Sequence, residues 1–228
     1  AQCYEKTRQF DKAITLYRQQ LDRQSSPLRG NQKARLQTAL ELARAYETAN
    51  DTANARKYFL DFVGEETQSP EASDAFRRLG AFEQRSGRIE TAIQYFEKSV
   101  AARRSASTTA ELASLYYANN DFPKAIEEYG LLAGLSDADS STLRLGRIRM
   151  VTSLYRSGKN KEAEQRTTEF LKAYGADKNA LAESEFEKAM ALYRSEEFDR
   201  SLTILEAFRG KYDSTEILPQ AYFWIGKI

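Results

Sequence analysis

The sequence predicts an all-α fold, an α-α superhelix in which antiparallel helical hairpins follow one another along residues 1–228. Three observations predict it. A small residue recurs at intervals of 33 to 42 residues, at Ala13, Ala55, Ala92, Ala125, Ala163 and Ser201. Four residues after these stand Tyr17, Phe59, Phe96, Tyr129, Thr167 and Leu205, five of them large and apolar or aromatic. No segment alternates apolar with polar residues as a half-buried strand does.

Each element follows from that register. Four residues is about one helical turn, so the small residue and its bulky follower share one face of a helix, the second of each pair. Twelve before the small residue sit Ala1, Ala43, Gly80, Ala113, Val151 and Ala189, and nine before it Tyr4, Tyr46, Glu83, Tyr116, Leu154 and Leu192. These describe a first helix whose small side chains let the two backbones approach, with large ones filling the space beside the contact. Three before the small residue come Phe10, Thr52, Ile89, Phe122, Asn160 and Phe198. Between the helices, five before the small residue, lie Arg8, Asn50, Gly87, Asn120, Gly158 and Glu196. Two Gly and two Asn at one aligned place indicate a left-handed residue ending the first helix. Asp11, Asp51 and Asp121 then open second helices, where a carboxylate caps free amides.

The expected pairs are 31–49 with 51–64, 71–86 with 88–103, 107–119 with 121–135, 140–157 with 160–174, and 179–195 with 197–212, preceded by a partial pair. Segments 64–70, 104–108 and 135–141 are the expected loops, rich in Ser, Asp, Gly or Pro, and none has the length of an interdomain linker. Pro219 to Lys227 has the pattern of a further first helix with no partner following it. Ala1-Gln2-Cys3-Tyr4 already has the pattern of a helix interior. Both features lead us to expect an excerpt of a longer chain.

The strings Asp11-Lys12-Ala13-Ile14, Gly87-Arg88-Ile89-Glu90-Thr91-Ala92-Ile93 and Asn120-Asp121-Phe122-Pro123-Lys124-Ala125-Ile126 resemble the turn and second helix of tetratricopeptide repeats. Leu42-Ala43 and Leu79-Gly80 resemble the first-helix signature of that family. The resemblance extends over nearly the whole chain and implies a right-handed solenoid of about six hairpins plus a truncated seventh. It also implies a concave surface lined by first helices, in which a protein or peptide segment lies. Departures exist. The family period is about 34 residues, and the surplus here falls after second helices, at 24–30 and 64–70. Lys188 stands where Leu is usual and Thr167 where an aromatic is usual. Some relatives hold a chaperone's terminal carboxylate with a Lys and Asn clamp. The matching places here hold Leu40 and Arg44, Arg77 and Ala81, and Ala110 and Ser114, so that clamp is absent. Phe170-Leu171-Lys172-Ala173-Tyr174 and Phe208-Arg209-Gly210-Lys211-Tyr212 are similar to repeats of bacterial cell-envelope proteins that help assemble outer-membrane machinery. That likeness implies a periplasmic setting.

Composition narrows the function. Hydrophobic residues make up 41% and charged residues 29%, which suits a thin core with much surface. Lys and Arg number 34 against 33 Asp and Glu, so the basic excess of a nucleic-acid binder is missing. There is no His and one Cys, so the commonest general base and metal ligand is lacking and no internal disulfide is possible. Cys3 has the setting of a small buried residue. No apolar run reaches membrane-spanning length, and no segment has the pattern of a signal peptide. Glu65-Glu66, Glu127-Glu128 and Glu196-Glu197 are adjacent acids that point to different helix faces, which suits solvation better than a shared proton or metal. Arg77-Arg78 and Arg103-Arg104 are isolated and balanced by nearby acids. The glycines are scattered singly, so no phosphate-cradling loop is present. Catalysis, metal and cofactor are therefore not expected.

The face of the first helices left over from hairpin packing carries the candidate partner-binding residues. Eight before the small residue in repeats four to six stand Tyr117, Tyr155 and Tyr193, followed by Ala118, Arg156 and Arg194. Near the same face lie Ile148, Phe186 and Met190, and Phe223 in the unfinished repeat. Tyr and Arg combine large area with hydrogen bonding and are enriched where interfaces gain most of their energy. The same tyrosines serve equally to pack neighbouring first helices. The expected function is a non-catalytic scaffold or adaptor binding a protein segment in the groove. Two alternatives stay open: a structural module self-associating through its C-terminal end, or a regulatory domain of a larger enzyme or DNA-binding protein.

Overall fold

The computed structural model describes residue 1 and residues 9–24, 31–175 and 177–228. Cys3, Tyr4, Arg8 and most of the 24–30 loop lie outside the described residues. Among the described residues the chain is helical throughout, with no strand. Helices α1 (Phe10–Gln24), α2 (Gln32–Thr48), α3 (Thr52–Val63), α4 (Pro70–Arg85) and α5 (Ile89–Ala102) belong to one compact unit, Ala1–Arg104. Helices α6 (Ala106–Ala118), α7 (Phe122–Leu131), α8 (Ser140–Arg156), α9 (Asn160–Tyr174), α10 (Lys178–Arg194), α11 (Phe198–Lys211) and α12 (Leu218–Ile225) belong to a second, Ser105–Ile228. The helix following Asp121 tightens at its end into a 3-10 turn, Leu132–Gly134.

The hairpin turns repeat one geometry. Asn50, Gly87, Asn120, Gly158 and Glu196 all have positive φ, between 61° and 77°. At each, the next amide reaches back five residues: Asp51 to Tyr46, Arg88 to Glu83, Asp121 to Tyr116, Lys159 to Leu154 and Glu197 to Leu192. This bond satisfies a carbonyl that the helix end would otherwise leave bare. Asp51 and Asp121 cap the second helices by accepting from the Asn54 and Lys124 amides. Ser69, Ser105, Asp139 and Asp177 do the same for first helices α4, α6, α8 and α10.

The core of the first unit follows the predicted register. Ala13, Ala55 and Ala92 are fully buried, as are Phe59 and Phe96 one turn on. A Cβ on Gly80 would stand 2.8 Å from the Phe96 ring, so the smallest residue in α4 is set by the largest in α5. In the slot that holds Tyr or Leu elsewhere, Glu83 is buried, and its carboxylate is bridged by Arg56 at 2.8 Å and by Arg88.

The second unit repeats the plan with more polar substitutions. Ala125 and Ala163 are buried, and so is Ser201, whose hydroxyl donates to the Ala189 carbonyl at 2.8 Å. Thr167, in the slot usually aromatic, donates to the Ala163 carbonyl at 2.8 Å and bonds the Ser184 hydroxyl at 3.1 Å. Lys188 faces out to Glu164 at 2.6 Å. Leu205, Phe208 and Tyr212 of the α11 end close the core against Phe186 and Met190.

Candidate functional site

Within the second unit, the first helices α6, α8 and α10 and the start of α12 line a cavity of about 400 Å³. Its wall is set by helical periodicity. Arg149 and Arg156, seven residues apart on α8, lie on one face, as do Asn179, Glu183, Phe186 and Glu187 on α10. Tyr117 comes from the end of α6, and Glu216, Ile217 and Gln220 from the approach to α12 and its first turn.

Tyr117 is the centre of the polar chemistry. The Arg149 guanidinium lies 5.2 Å and that of Arg156 5.1 Å from its ring centroid. Phe122 meets the same ring edge-on at 5.9 Å. Each arginine is held by an acid on the next first helix: Arg149 donates to Glu183 at 2.7 Å, and Arg156 donates from Nε to Glu187 at 2.8 Å. Burial opposes the Arg156 charge, but the Glu187 carboxylate outweighs it and the pKa is raised. Burial raises the pKa of Glu183, the Glu187 charge adds to it, and the Arg149 and Arg156 charges only partly offset the shift. Arg194 ends α10 and donates to the Tyr155 carbonyl at 3.2 Å. Its pKa is lowered by burial and by the nearby Arg156 charge, with Glu187 opposing.

The residues expected to form a strip separate into groups. Tyr117, Arg156 and Phe186 meet in the cavity. Tyr193 and Arg194 stand at the end of α10, and Tyr193 is half-buried between Phe198 and Trp224 at 5.4 and 5.0 Å. Tyr155 is only 2% exposed; burial pushes its phenol up to about 12, partly offset by a hydrogen bond with the Thr167 side chain. Ile148 and Met190 are also buried, Ile148 beside Phe170 and Met190 beside Phe186 and Phe208. Phe223 is 58% exposed and lies against Trp224 and Lys227, apart from the cavity lining. The residues that repeat counting missed are Arg149, Glu183 and Glu187, whose partners lie 31 to 34 residues away.

The first unit has other hollows. One of about 460 Å³ is mostly apolar, with Leu60, Val63, Phe76 and Tyr95 under Lys98. Among the described residues no group of His, Cys, Asp or Glu has an arrangement able to hold a metal ion. No helix there is long and apolar enough to cross a membrane.

Two family models match the sequence, both described as tetratricopeptide repeat, over residues 1–29 and 40–108. No curated protein matches it. Several solved structures share the fold. The C-terminal part of a TPR repeat-containing protein from Cytophaga hutchinsonii is 16% identical, with a TM-score of 0.63 over 96% of this chain and 83% of that one. YrrB, described as a TPR protein with an unusual peptide-binding site, is 13% identical, with a TM-score of 0.61 over 84% of this chain and 91% of its own. MamA is 19% identical, with a TM-score of 0.57 over 75% of this chain and 86% of its own. At these identities the likeness shows the fold alone, the all-α superhelix of helical hairpins.

Proposed function

We propose that this chain, which belongs to the tetratricopeptide-repeat family, is a non-catalytic scaffold that binds a segment of a partner protein in the groove lined by α6, α8, α10 and α12. The observation that carries this reading is Tyr117. Its ring is held by two guanidiniums at 5.1 and 5.2 Å at the wall of a cavity of about 400 Å³. An amphipathic ring fixed in this way, ringed by donors and acceptors, is the anchor type most enriched where interfaces gain energy. Tyr117, Arg156, Tyr193 and Arg194 offer their accessible parts to the partner. Phe186 floors the cavity, while Tyr155, Ile148 and Met190 support it from the core. Repeats of this family act as protein-interaction modules, and nothing in the lining assembles a nucleophile with a base.

The test is selection from a displayed library of random peptides on the immobilised full chain, followed by affinity measurement. Tyr117→Ala is expected to weaken the selected peptides by about tenfold or more, with retained helical circular dichroism as the check on the fold, because the ring also packs against Phe122, Arg149 and Arg156. Unchanged affinity for every selected peptide would remove the groove from consideration.

A second reading, self-association through the C-terminal helix, is favoured by Tyr222 and Phe223, which are 47% and 58% exposed on α12. Sedimentation velocity over a concentration series, with Phe223→Ser beside the parent chain, distinguishes it. A monomer at all concentrations excludes it.

A further inference from the structure

We infer that the groove takes a lysine or arginine of its partner segment, whose cation is bound by Glu216 and Glu183 on the α12 side while an adjacent apolar side chain sits against Tyr117. This rests on the groove proposed above being the binding site.

The cavity lining carries three acids, Glu183, Glu187 and Glu216, against two bases, Arg149 and Arg156, and both bases stand on one side of it. They project from α8 and meet the acids of α10. Arg149 donates to Oε1 of Glu183 at 2.7 Å, and Arg156 donates to Oε1 of Glu187 at 2.8 Å. The second oxygen of each carboxylate takes no part in these contacts. In the place that Arg149 takes on α8, fourteen residues before the small anchor, α10 carries Glu187, so this face of α10 offers α12 no cation. The α12 side answers with Glu216, Ile217 and Gln220. Glu216 is exposed and forms no ion pair among the described residues. Lys178, at the start of α10, is turned to Asp213 at 2.8 Å. Arg194, whose charge also reaches Glu187, ends α10 outside the lining.

The electrostatics of Glu183 agree with this placement. Burial keeps its carboxyl above the usual range and the Glu187 charge adds to the effect, while the Arg149 and Arg156 charges only partly offset it. A half-buried carboxylate in that position gains from a further cation. Lys or Arg reaches such a place on an aliphatic stem that covers apolar surface, and Phe186 and Ile217 supply that surface. The Gln220 amide oxygen can accept a further N–H. An acidic segment meets a less favourable lining. It would add carboxylates to the three already present, and Arg149 and Arg156 are each held by an acid and lie against the Tyr117 ring.

The experiment uses the full chain and the random-peptide library described above. The expected result is enrichment of Lys and Arg beside a large apolar or aromatic residue, with affinity that falls as salt rises. Glu216→Gln should weaken these peptides by about fivefold, the upper range for an exposed ion pair. Glu216→Lys should weaken them further, because the new charge repels the ligand. Glu216 is exposed, so neither variant disturbs the core. Glu206→Gln removes an exposed acid of α11 outside the lining. It should leave affinity unchanged, which separates a local contact from general attraction. Selected peptides that lose binding on Tyr117→Ala but are neutral or acidic, or are indifferent to Glu216→Lys, would overturn the cation site and leave the groove standing. Peptides indifferent to Tyr117→Ala would overturn the groove and the inference together.

Discussion

Adding one methyl group at Gly80 should change stability with a sign that depends on Phe96. Gly80 lies inside α4, where replacing Gly with Ala ordinarily gains about 1 kcal/mol of helix propensity. Here the new Cβ would stand 2.8 Å from two carbons of the Phe96 ring and 3.3 Å from a third. Phe96 is fully buried, so its ring has nowhere to swing. Overpacking of this kind costs about 1–3 kcal/mol. The propensity gain offsets part of that cost, and Gly80→Ala is expected to destabilise by about 1 kcal/mol, lowering the thermal midpoint by about 2–4 °C. Shortening the ring by Phe96→Leu opens the space that the methyl needs. In that background Gly80→Ala should stabilise by up to about 1 kcal/mol, giving a coupling of about 2 kcal/mol, within the range seen for touching residues. Gly130 is the control, since a Cβ there meets nothing within 4 Å; Gly130→Ala should stabilise by about 0.5–1 kcal/mol. Circular dichroism melts of the four proteins of the cycle and the control provide the measurement. A Gly80→Ala midpoint that rises as the Gly130→Ala midpoint does, or a coupling near zero, would refute this account of hairpin packing.

Other consequences can be checked in the same way. Glu83→Leu places in α4 the residue that Leu154 and Leu192 supply elsewhere, and the released Arg56 and Arg88 side chains are 41% and 55% exposed and can return to water. The change should therefore cost less than about 1 kcal/mol at neutral pH. The Arg88 hydrogen bond holds the Glu83 carboxyl below its usual range, so its stabilisation is present above pH of about 4.5 and lost on acidification. Glu83→Leu should accordingly flatten the acid limb of a stability–pH curve, and an unchanged limb would contradict this. Tyr155 has the opposite sign, since its pKa is raised by burial to about 12. Its contribution is complete below pH of about 10 and is lost as pH rises towards 12. Tyr155→Phe should move the alkaline unfolding midpoint upward, followed by tyrosinate absorbance. Glu196 has a φ of 63° without being Gly, which costs a side-chain-bearing residue about 1–2 kcal/mol. Glu196→Asn, better suited to that region, should stabilise by about 0.5 kcal/mol in urea titration.

The repeat register was readable because it is written in local steps. A small residue, a bulky one four later and a left-handed residue five earlier each lie within one hairpin, so one sequence contains both halves of every contact. Ala55 with Phe59, and Asn50 before them, needed no knowledge of another repeat. The 3-10 turn at 132–134 and the caps at Ser69, Ser105, Asp139 and Asp177 were not drawn from the sequence, although short polar residues before helices were a usable signal. The groove was less legible. Its ion pairs join residues 31 to 34 apart, and the interval between repeats varies by more than a helical turn, so the partner of Arg149 cannot be found by counting. The alignment of Tyr117, Tyr155 and Tyr193, each eight residues before its small residue, did not separate a half-buried ring from one at 2% exposure. The offset from the turn is the same for all three, so what packs over each ring decides its exposure: Arg149 and Arg156 over Tyr117, the cluster with Ala163 and Ala191 around Tyr155, and Trp224 beside Tyr193.

The two units differ in the charges that their first helices carry. In both, an acid eighteen residues before the small anchor, Asp74 or Glu183, receives an arginine from the preceding first helix. Asp74 is met by Arg44 at 3.1 Å and by Arg78 of its own helix at 2.9 Å, while Arg78 also pairs with Glu47. The two cations and two anions close on one another, and hydrogen bonds and neighbouring charge hold the Asp74 carboxyl below its usual range despite burial. The second unit uses the same inter-repeat ladder, but the place that Glu47 takes in the first unit holds Tyr117, Tyr155 or Tyr193. Replacing an acid by an aromatic ring at that place removes a negative charge from the face: Arg149, in the register of Arg78, lies 5.2 Å from the Tyr117 ring centroid where Arg78 meets Glu47. Ladder pairs of this kind contribute little net stability at partly exposed positions, so their main effect is to fix guanidiniums in place. Where the ladder is complete, the fixed charges satisfy each other; where Tyr117 interrupts it, a ring fixed by two guanidiniums stands at the cavity wall, which is the arrangement the proposed groove would offer to a partner's side chain.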